Sequence, residues 1–251
     1  MQHPLHASGY HPPFDSPLHR LDGRTKLLAA VAMVLAVVTT PPNALAAWAA
    51  FAAMLIGAAG VARVPPGYLV RRWLIILPLL AGAAVLPLIG PRDVLFLGMP
   101  LSRAGLIALR SIAVKATLAV TAMTLLAAST HVADLLAALR LLKVPAVLVM
   151  LVGVTHRYLF ILADEAGRLK RAADVRGYGG RWLWHAGTIG RMVGVLFLGS
   201  YERGERVHAA MLARGFDGLM LAGGHAPRLG RWDWATLAVW LTALAAIRIA
   251  A

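Results

Sequence analysis

The sequence contains no cysteine and few acidic residues, with 11 Asp and Glu against 25 Lys and Arg in 251 residues. Without cysteine, the chain cannot form disulfides, thiolate zinc sites or a cysteine nucleophile. Charged residues make up only 14% of the chain, whereas soluble domains average about 25%. Hydrophobic residues make up 59%, and the mean hydropathy is +0.71. So little charge cannot cover a water-facing surface, and the composition predicts an integral membrane protein.

Three sequence motifs of catalysis are also missing. The sequence has no G-x-x-x-x-G-K-[ST] phosphate loop, so the chain cannot hold ATP by that route. It has neither the H-E-x-x-H zinc motif nor the G-x-S-x-G nucleophile motif. We therefore expect a non-enzymatic protein that binds no cofactor directly.

Five apolar stretches approach the length of about 20 residues that a helix needs to cross a bilayer. They predict an all-α membrane protein with about five transmembrane helices. The third contains Pro78 and Pro87, which should kink it. The five predicted spans are Leu27 to Val38, Ala44 to Val61, Trp73 to Ile89, Leu106 to Ala128 and Ala235 to Ala251.

The distribution of Lys and Arg predicts the orientation, because cytoplasmic loops carry the excess of positive charge. Basic residues precede the first span and follow the second, but the turn between the two spans has none. The residues before the first span are Arg20, Arg24 and Lys26, and those after the second are Arg63, Arg71 and Arg72. The N-terminus is therefore predicted to be cytoplasmic. This rule also accounts for the net charge of +14 without a nucleic-acid partner.

Two further segments are predicted to be long helices on the cytoplasmic side, each with one apolar face. They run from Pro145 to Val175 and from Arg181 to Arg214. Their apolar parts could be mistaken for spans. If both crossed the membrane, however, the cluster that includes Arg168, Lys170 and Arg171 would lie outside, against the positive-inside rule.

Both long helices are predicted to end in the same motif. Residues 173–180 and 211–218 each contain a small or apolar residue followed by Arg, Gly, an aromatic residue, any residue and Gly. Arg176 and Arg214 would each stand at a helix C-terminus, where the dipole favours a cation and the guanidinium can grip a docking protein. Gly177 and Gly215 would close the helices with a positive φ. The alternative is that both are ordinary helix caps, but the duplication favours docking.

The paired motifs, placed after four spans and before a fifth, resemble the transmembrane coupling (T) component of energy-coupling factor (ECF) transporters. The segment Ser16 to Lys26, followed by a Leu-rich helix, is similar to the cobalt and nickel branch, the CbiQ type. The resemblance covers the chain after about residue 15 and implies two copies of an ATP-binding-cassette subunit as partners. It also implies a separate substrate-binding membrane subunit (S component), ATP used by the partners, and Co²⁺ or Ni²⁺ as the transported substrate. By position, Arg176, Gly177, Ala213, Arg214 and Gly215 would couple to the ATPase; the first motif has Val175 where the family usually has Ala.

The expected organisation has four parts. Residues 1–26 form a cytoplasmic N-terminal segment, 27–128 the first four transmembrane helices, 129–230 the cytoplasmic coupling domain and 231–251 the last transmembrane helix. The protein is expected to be a multi-pass protein of the cell inner membrane.

Histidines and one lysine are the remaining candidates for chemistry. His3, His6 and His11 could hold a metal weakly, because imidazole is a good ligand for Co(II) and Ni(II). Lys115 lies near the middle of the fourth span, where a charge is costly and is a functional-site hypothesis by default. It could instead face the protein interior or reach the interface.

Two alternatives to metal transport stay open. The first is a T component that serves a vitamin, against which the N-terminal resemblance argues. The second is a membrane-embedded enzyme acting through Lys115. That reading needs clustered acids, and the spans from Leu27 to Ala128 contain neither Asp nor Glu.

Overall fold

A computed structural model describes residues 21–88, 94–96, 99–177, 186–216 and 230–250. Its described residues divide into two compact units. The bundle unit contains residues 21–138 and 230–250, and the two-helix unit contains residues 139–177 and 186–216. The boundary at residue 138 falls inside a helix.

The structure is almost entirely helical, as the sequence predicts. The bundle unit contains α1 (Gly23–Thr39), α2 (Leu45–Ala62), α3 (Pro66–Trp73), α4 (Leu77–Ala83), α5 (Arg103–Ser129), α6 (Val132–Leu141) and α9 (Arg231–Ile249). Short 3₁₀ turns occupy Leu74–Ile76 and Leu86–Leu88, and an antiparallel pair, β1 (Val94–Phe96) and β2 (Met99–Leu101), precedes α5. The two-helix unit is built from α7 (Ala146–Val175) and α8 (Ala186–Ala213), to which the end of α6 also belongs.

Among the described residues, four helical segments are long and apolar enough to cross a membrane: Leu45–Ala62, Pro66–Leu88, Arg103–Ser129 and Ala146–Val175. The first three overlap the second, third and fourth predicted spans, and the protein is a multi-pass membrane protein. The fourth is α7, whose position on the cytoplasmic side stays a prediction from the distribution of charge. The first and last predicted spans correspond to α1 (17 residues) and α9 (19 residues), and neither is among these four candidates.

The third span starts earlier than predicted and is interrupted. Its helix begins at Pro66, whose missing N–H and fixed φ suit a first helical position. The α-helix then tightens into the 3₁₀ turn Leu74–Ile76 just before Pro78. Proline removes a hydrogen bond and its ring clashes with the carbonyl four residues back, here that of Leu74. A 3₁₀ segment therefore separates α3 from α4 at the place where the sequence predicts a disturbed helix.

The core of the bundle unit lies where α1, α2, α5 and α9 meet. Met33 and Val37 of α1 and Phe51 of α2 have no exposed surface. Around them pack alanines, leucines and one tryptophan, and the small alanines let the helices approach closely. The remaining members of this cluster are Ala47, Trp48, Leu55, Ala59, Leu118, Ala122, Leu125 and Leu244.

Helices α1 and α9 lie parallel although they come from opposite ends of the chain. The backbone N–H of Asp22 donates to Asp233 Oδ1 at 3.1 Å at one end of the pair. Trp240 Nε1 donates to the Ala29 carbonyl at 3.2 Å midway. Arg248 donates to the carbonyl of Thr39 at 3.0 Å at the other end. These three bonds fix the register of the two helices along their whole length.

The two-helix unit buries little of its own apolar surface. Among its described residues, only Val149 is a buried hydrophobic side chain. Large apolar side chains are exposed on both helices, and examples are Leu151, Leu159, Val193, Phe197 and Leu198. Exposed apolar faces of this extent mark surfaces for a partner or a membrane.

Candidate functional site

The first Arg-Gly motif closes helix α7. The N–H of Arg176 donates to the Ala173 carbonyl at 3.0 Å, and that of Gly177 to the Asp174 carbonyl at 3.1 Å. Gly177 has a φ of 84°, which a residue without a Cβ adopts at little cost. The glycine therefore ends the helix as predicted and leaves Arg176 at its last turn.

The second motif closes α8 in the same way. The N–H of Gly215 donates to the Leu212 carbonyl and that of Phe216 to the Met211 carbonyl, each at 3.0 Å. This pair of bonds around a positive φ, 79° at Gly215, is a Schellman motif. Arg214 occupies the same place before its glycine as Arg176 does before Gly177. The two tips thus share the positive φ of the glycine and its N–H bond to the carbonyl three residues back.

Both tip arginines are available to another molecule. Arg176 and Arg214 are exposed, and neither forms an ion pair or side-chain hydrogen bond with another residue that the structure describes. Val175, which stands in place of the usual alanine, is 89% exposed. Ala213 is exposed as well. Each tip therefore presents a guanidinium beside a small apolar surface, a combination suited to a protein groove.

Helices α7 and α8 run antiparallel where they touch. Oε2 of Glu165 on α7 lies 3.9 Å from Nη2 of Arg203 on α8. Arg176, near the end of α7, lines the same groove as Arg191, near the start of α8. Arg214 lies 23 residues beyond Arg191 along the chain, which is about 35 Å of helix at 1.5 Å per residue. The two tips therefore stand at opposite ends of the helix pair, too far apart for one side chain to engage both.

Comparisons with known proteins identify the family of this chain. The profile of the CbiQ family, described as a cobalt transport protein, matches residues 14–222. The cobalt transport protein CbiQ of Rhodobacter capsulatus is 32% identical over 202 residues, covering 78% of each chain. The chain belongs to the CbiQ family of cobalt transport proteins.

Two other relatives match with different coverage. The uncharacterized protein MJ1089 of Methanocaldococcus jannaschii is 31% identical over 99 residues, 39% of this chain and 37% of its own. A protein of Methanocorpusculum labreanum, whose name describes it as a fused cobalt transport protein CbiMQ, is 27% identical over 225 residues. That match covers 82% of this chain and 36% of the fused protein. The greater part of the fused relative therefore lies outside the match.

In this CbiQ-family chain, Lys115 is bound to a helix end. Its Nζ donates to the carbonyl of Val38 at 2.8 Å, one of the last carbonyls of α1 that the helix itself leaves unpaired. Arg110 donates to the carbonyl of Pro42 at 3.2 Å, just after α1. With Arg248 on Thr39, three cations thus gather at the C-terminus of α1, where the helix dipole favours positive charge. This contact gives Lys115 a structural partner; a role in transport stays untested.

At the opposite end of α1, a lysine is surrounded by acids. Lys26, which precedes the predicted span, donates from Nζ to the Ser129 carbonyl at 2.9 Å. Burial lowers the pKa of Lys26, and the carboxylates of Asp134, Asp22 and Asp233 partly oppose that effect. These groups come from the starts of α1, α6 and α9 and the end of α5. Their proximity means that these four helix ends share one side of the bundle unit, as the predicted topology requires.

The histidine prediction lies outside the described residues, because His3, His6 and His11 precede residue 21. Within the described part of the chain, His, Asp and Glu do not gather in groups of three that could hold a metal. His131 lies next to α6 with Nδ1 at 3.9 Å from Asp134, a residue of the first turn of that helix. The rings of His156 and Phe160 pack edge to face, with their centroids 5.2 Å apart. His131 and His156 thus have contacts within the protein.

Sequence reasoning missed two of the arginines just described. Arg248 belongs to the last turn of α9, where a basic residue is a known helix-end signal. Arg191 lies on α8 five residues after Ala186 and belongs to no motif in the sequence. Only its position across the groove from Arg176 singles it out.

Proposed function

We propose that this chain is the transmembrane coupling subunit of an ECF-type ATP-binding-cassette importer for a divalent transition metal, cobalt or nickel. The observation that carries the proposal is the pair of Arg-Gly tips, which share one backbone geometry and both expose their arginines. Membership in a cobalt transport family supports the class of substrate. ATP is hydrolysed by the partners, because the sequence has no phosphate loop of its own.

The partner is an ATPase present in two copies. A groove that accepts one tip also accepts the other, since the residues around Arg176 and Arg214 follow the same pattern. The separation of the tips, about 35 Å along α8, favours one ATPase subunit on each tip. Movement of the two ATPases on ATP binding would then push on the two ends of a single pair of helices.

The second partner is a membrane subunit that binds the metal. The exposed apolar faces of α7 and α8 give the two-helix unit more apolar surface than its own packing covers. We assign this surface to contact with the bilayer and the S component. The fused CbiMQ relative supports such a partner, because most of that protein lies outside its match to this chain.

The proposed orientation places both tips on the cytoplasmic side of the inner membrane. The starts of α1 and α9 lie with the end of α5 on one side of the bundle unit, where Lys26 sits. The basic residues before α1 make that side cytoplasmic by the positive-inside rule. The N-terminus and the coupling domain then face the compartment that holds ATP.

The alternatives receive less support. A T component for a vitamin would use the same tips, but the family match is to cobalt transport. An enzyme acting through Lys115 would need its ammonium for chemistry, whereas the ammonium is bound to the Val38 carbonyl.

Co-purification tests the proposal. We would co-express the chain with the ATP-binding-cassette gene of its operon and compare the wild type with the double variant Arg176→Glu/Arg214→Glu. Charge reversal places two carboxylates in sites on the ATPase that bind guanidinium groups. The ATPase should therefore no longer co-purify, and uptake of ⁵⁷Co²⁺ should be abolished. Yield and melting temperature should stay near those of the wild type, because both side chains are exposed.

The control is Arg168→Glu/Arg206→Glu, which reverses one charge on each of the same two helices. These arginines already pair with Glu165 and Glu202 of their own helices and are not tip residues. The control should keep the ATPase and uptake. Wild-type uptake in the Arg176/Arg214 double variant would overturn the coupling role.

A further inference from the structure

A groove lies between the last turns of α7 and the first described turns of α8. Its volume is about 420 Å³. Arg176 and Arg191 both line it, the first from the tip of α7 and the second from α8. The other lining residues are small, apolar or a single threonine: Leu169, Ala172, Ala173, Gly177, Thr188, Met192 and Val195.

The groove is positively charged. Like Arg176, Arg191 is exposed and forms no ion pair with the residues that the structure describes. Other arginines of the same helices do have acidic partners, as Arg168 does in Glu165 and Arg206 in Glu202. Asp174, one turn before the tip, is exposed and is not within 4.0 Å of either groove arginine. Two guanidinium groups thus line one groove, and none of the described residues that line it is acidic.

The walls indicate the kind of anion that would fit. Leu169, Met192 and Val195 supply apolar surface beside the charges, which suits the methylene groups of an acidic side chain. A guanidinium binds a carboxylate through two parallel hydrogen bonds, and two of them can satisfy all its acceptor sites.

We propose that this groove receives an acidic side chain, Asp or Glu, of the ATPase partner, with Arg191 as a second binding residue beside Arg176. This inference rests on the proposed coupling function and adds α8 to the first docking site. The site is then built from both helices, so a rotation of one helix relative to the other changes the grip on the partner.

Substitution of Arg191 tests the proposal in the full chain co-expressed with its ATPase. Arg191→Glu should lower recovery of the ATPase at least about tenfold, because it places a carboxylate against the incoming one. Arg191→Lys keeps the charge and should retain most of the recovery. Arg206→Glu, a reversal on the same helix outside the groove, should match the wild type.

Three outcomes are distinguishable. Loss of the ATPase in Arg191→Glu and in Arg176→Glu/Arg214→Glu supports both proposals. Wild-type recovery in Arg191→Glu with loss in the double tip variant overturns the groove but leaves the coupling function standing. Recovery in all variants overturns both.

A thiol-protection experiment separates a protein ligand from a lipid. The chain has no cysteine, so Thr188→Cys places a single thiol in the groove. Added ATPase should slow maleimide labelling of this thiol in detergent, while Ser200→Cys, twelve residues further along α8, should label at the same rate with or without it. Protection by nanodiscs of phosphatidylglycerol but not by ATPase would overturn the assignment in favour of an anionic lipid.

Discussion

Substitution of Gly105 by alanine should destabilise the bundle unit. Gly105 lies in the first turn of α5, and a Cβ built there would stand 2.5 Å from the Leu86 carbonyl oxygen and 2.6 Å from Pro87 Cα. Ordinary contact begins at 3.4 Å, so these atoms must separate by nearly 1 Å. Both obstructing atoms belong to the backbone, so no change of side-chain rotamer can move them away. The Ser102 N–H also ties this point to the Pro87 carbonyl at 2.9 Å.

The cost should therefore lie near the upper end of the range for overpacking, about 3 kcal/mol. For a chain of this size, about 1 kcal/mol shifts the melting temperature by roughly 2–4 °C. We expect a fall of about 6–12 °C, measured by scanning fluorimetry of the purified protein in detergent. Gly60→Ala in α2 is the matched control, because its Cβ would meet none of the described atoms within 4 Å. A melting temperature for Gly105→Ala equal to or above that of the wild type would refute this account of the packing.

Two further substitutions give distinct expectations. Lys115→Met removes the hydrogen bond to the Val38 carbonyl and should lower the free energy of unfolding by about 1–3 kcal/mol. Uptake of ⁵⁷Co²⁺ per folded molecule should stay unchanged. Loss of uptake at an unchanged melting temperature would instead give Lys115 a transport role. Gly215→Ala forces a side chain into a φ of 79°, a strain of about 1–2 kcal/mol. This substitution should loosen the turn that carries Arg214 and reduce ATPase recovery, but less than Arg214→Glu does. The control Gly204→Ala, within α8, should leave recovery unchanged. An equal loss in both variants would contradict the tip assignment.

The sequence predicts the helices well because apolar length and capping residues are local signals. The glycine that ends α7 and the one that ends α8 are both found with positive φ. The third span begins earlier than the sequence predicts, because Pro66 occupies the beginning of a helix, a position at which proline is favoured. The 3₁₀ turn before Pro78 shows that the α-helix is interrupted there, whereas the predicted kink stays a prediction.

The candidate site is predictable only in part. Arg176 and Arg214 stand out because the same local motif occurs twice. Arg191 does not, since its relation to Arg176 arises from the way α7 and α8 pack and not from a spacing along the chain. The partner of Lys115 is likewise hidden from sequence, because Val38 lies 77 residues away and offers only a backbone carbonyl.

The parallel pairing of α1 and α9 has a consequence for biogenesis. The residues joined at its start and middle are 211 positions apart, so α1 cannot complete its packing until the end of the chain has been made. At a synthesis rate of about 5–20 residues per second, the delay is roughly 10–40 s. Both helices of the two-helix unit are made during that interval. The two Arg-Gly tips are therefore synthesised before the bundle closes. In a chain terminated before α9, the face of α1 that packs against α9 would stay exposed. Such a truncated chain should be a target for membrane quality control.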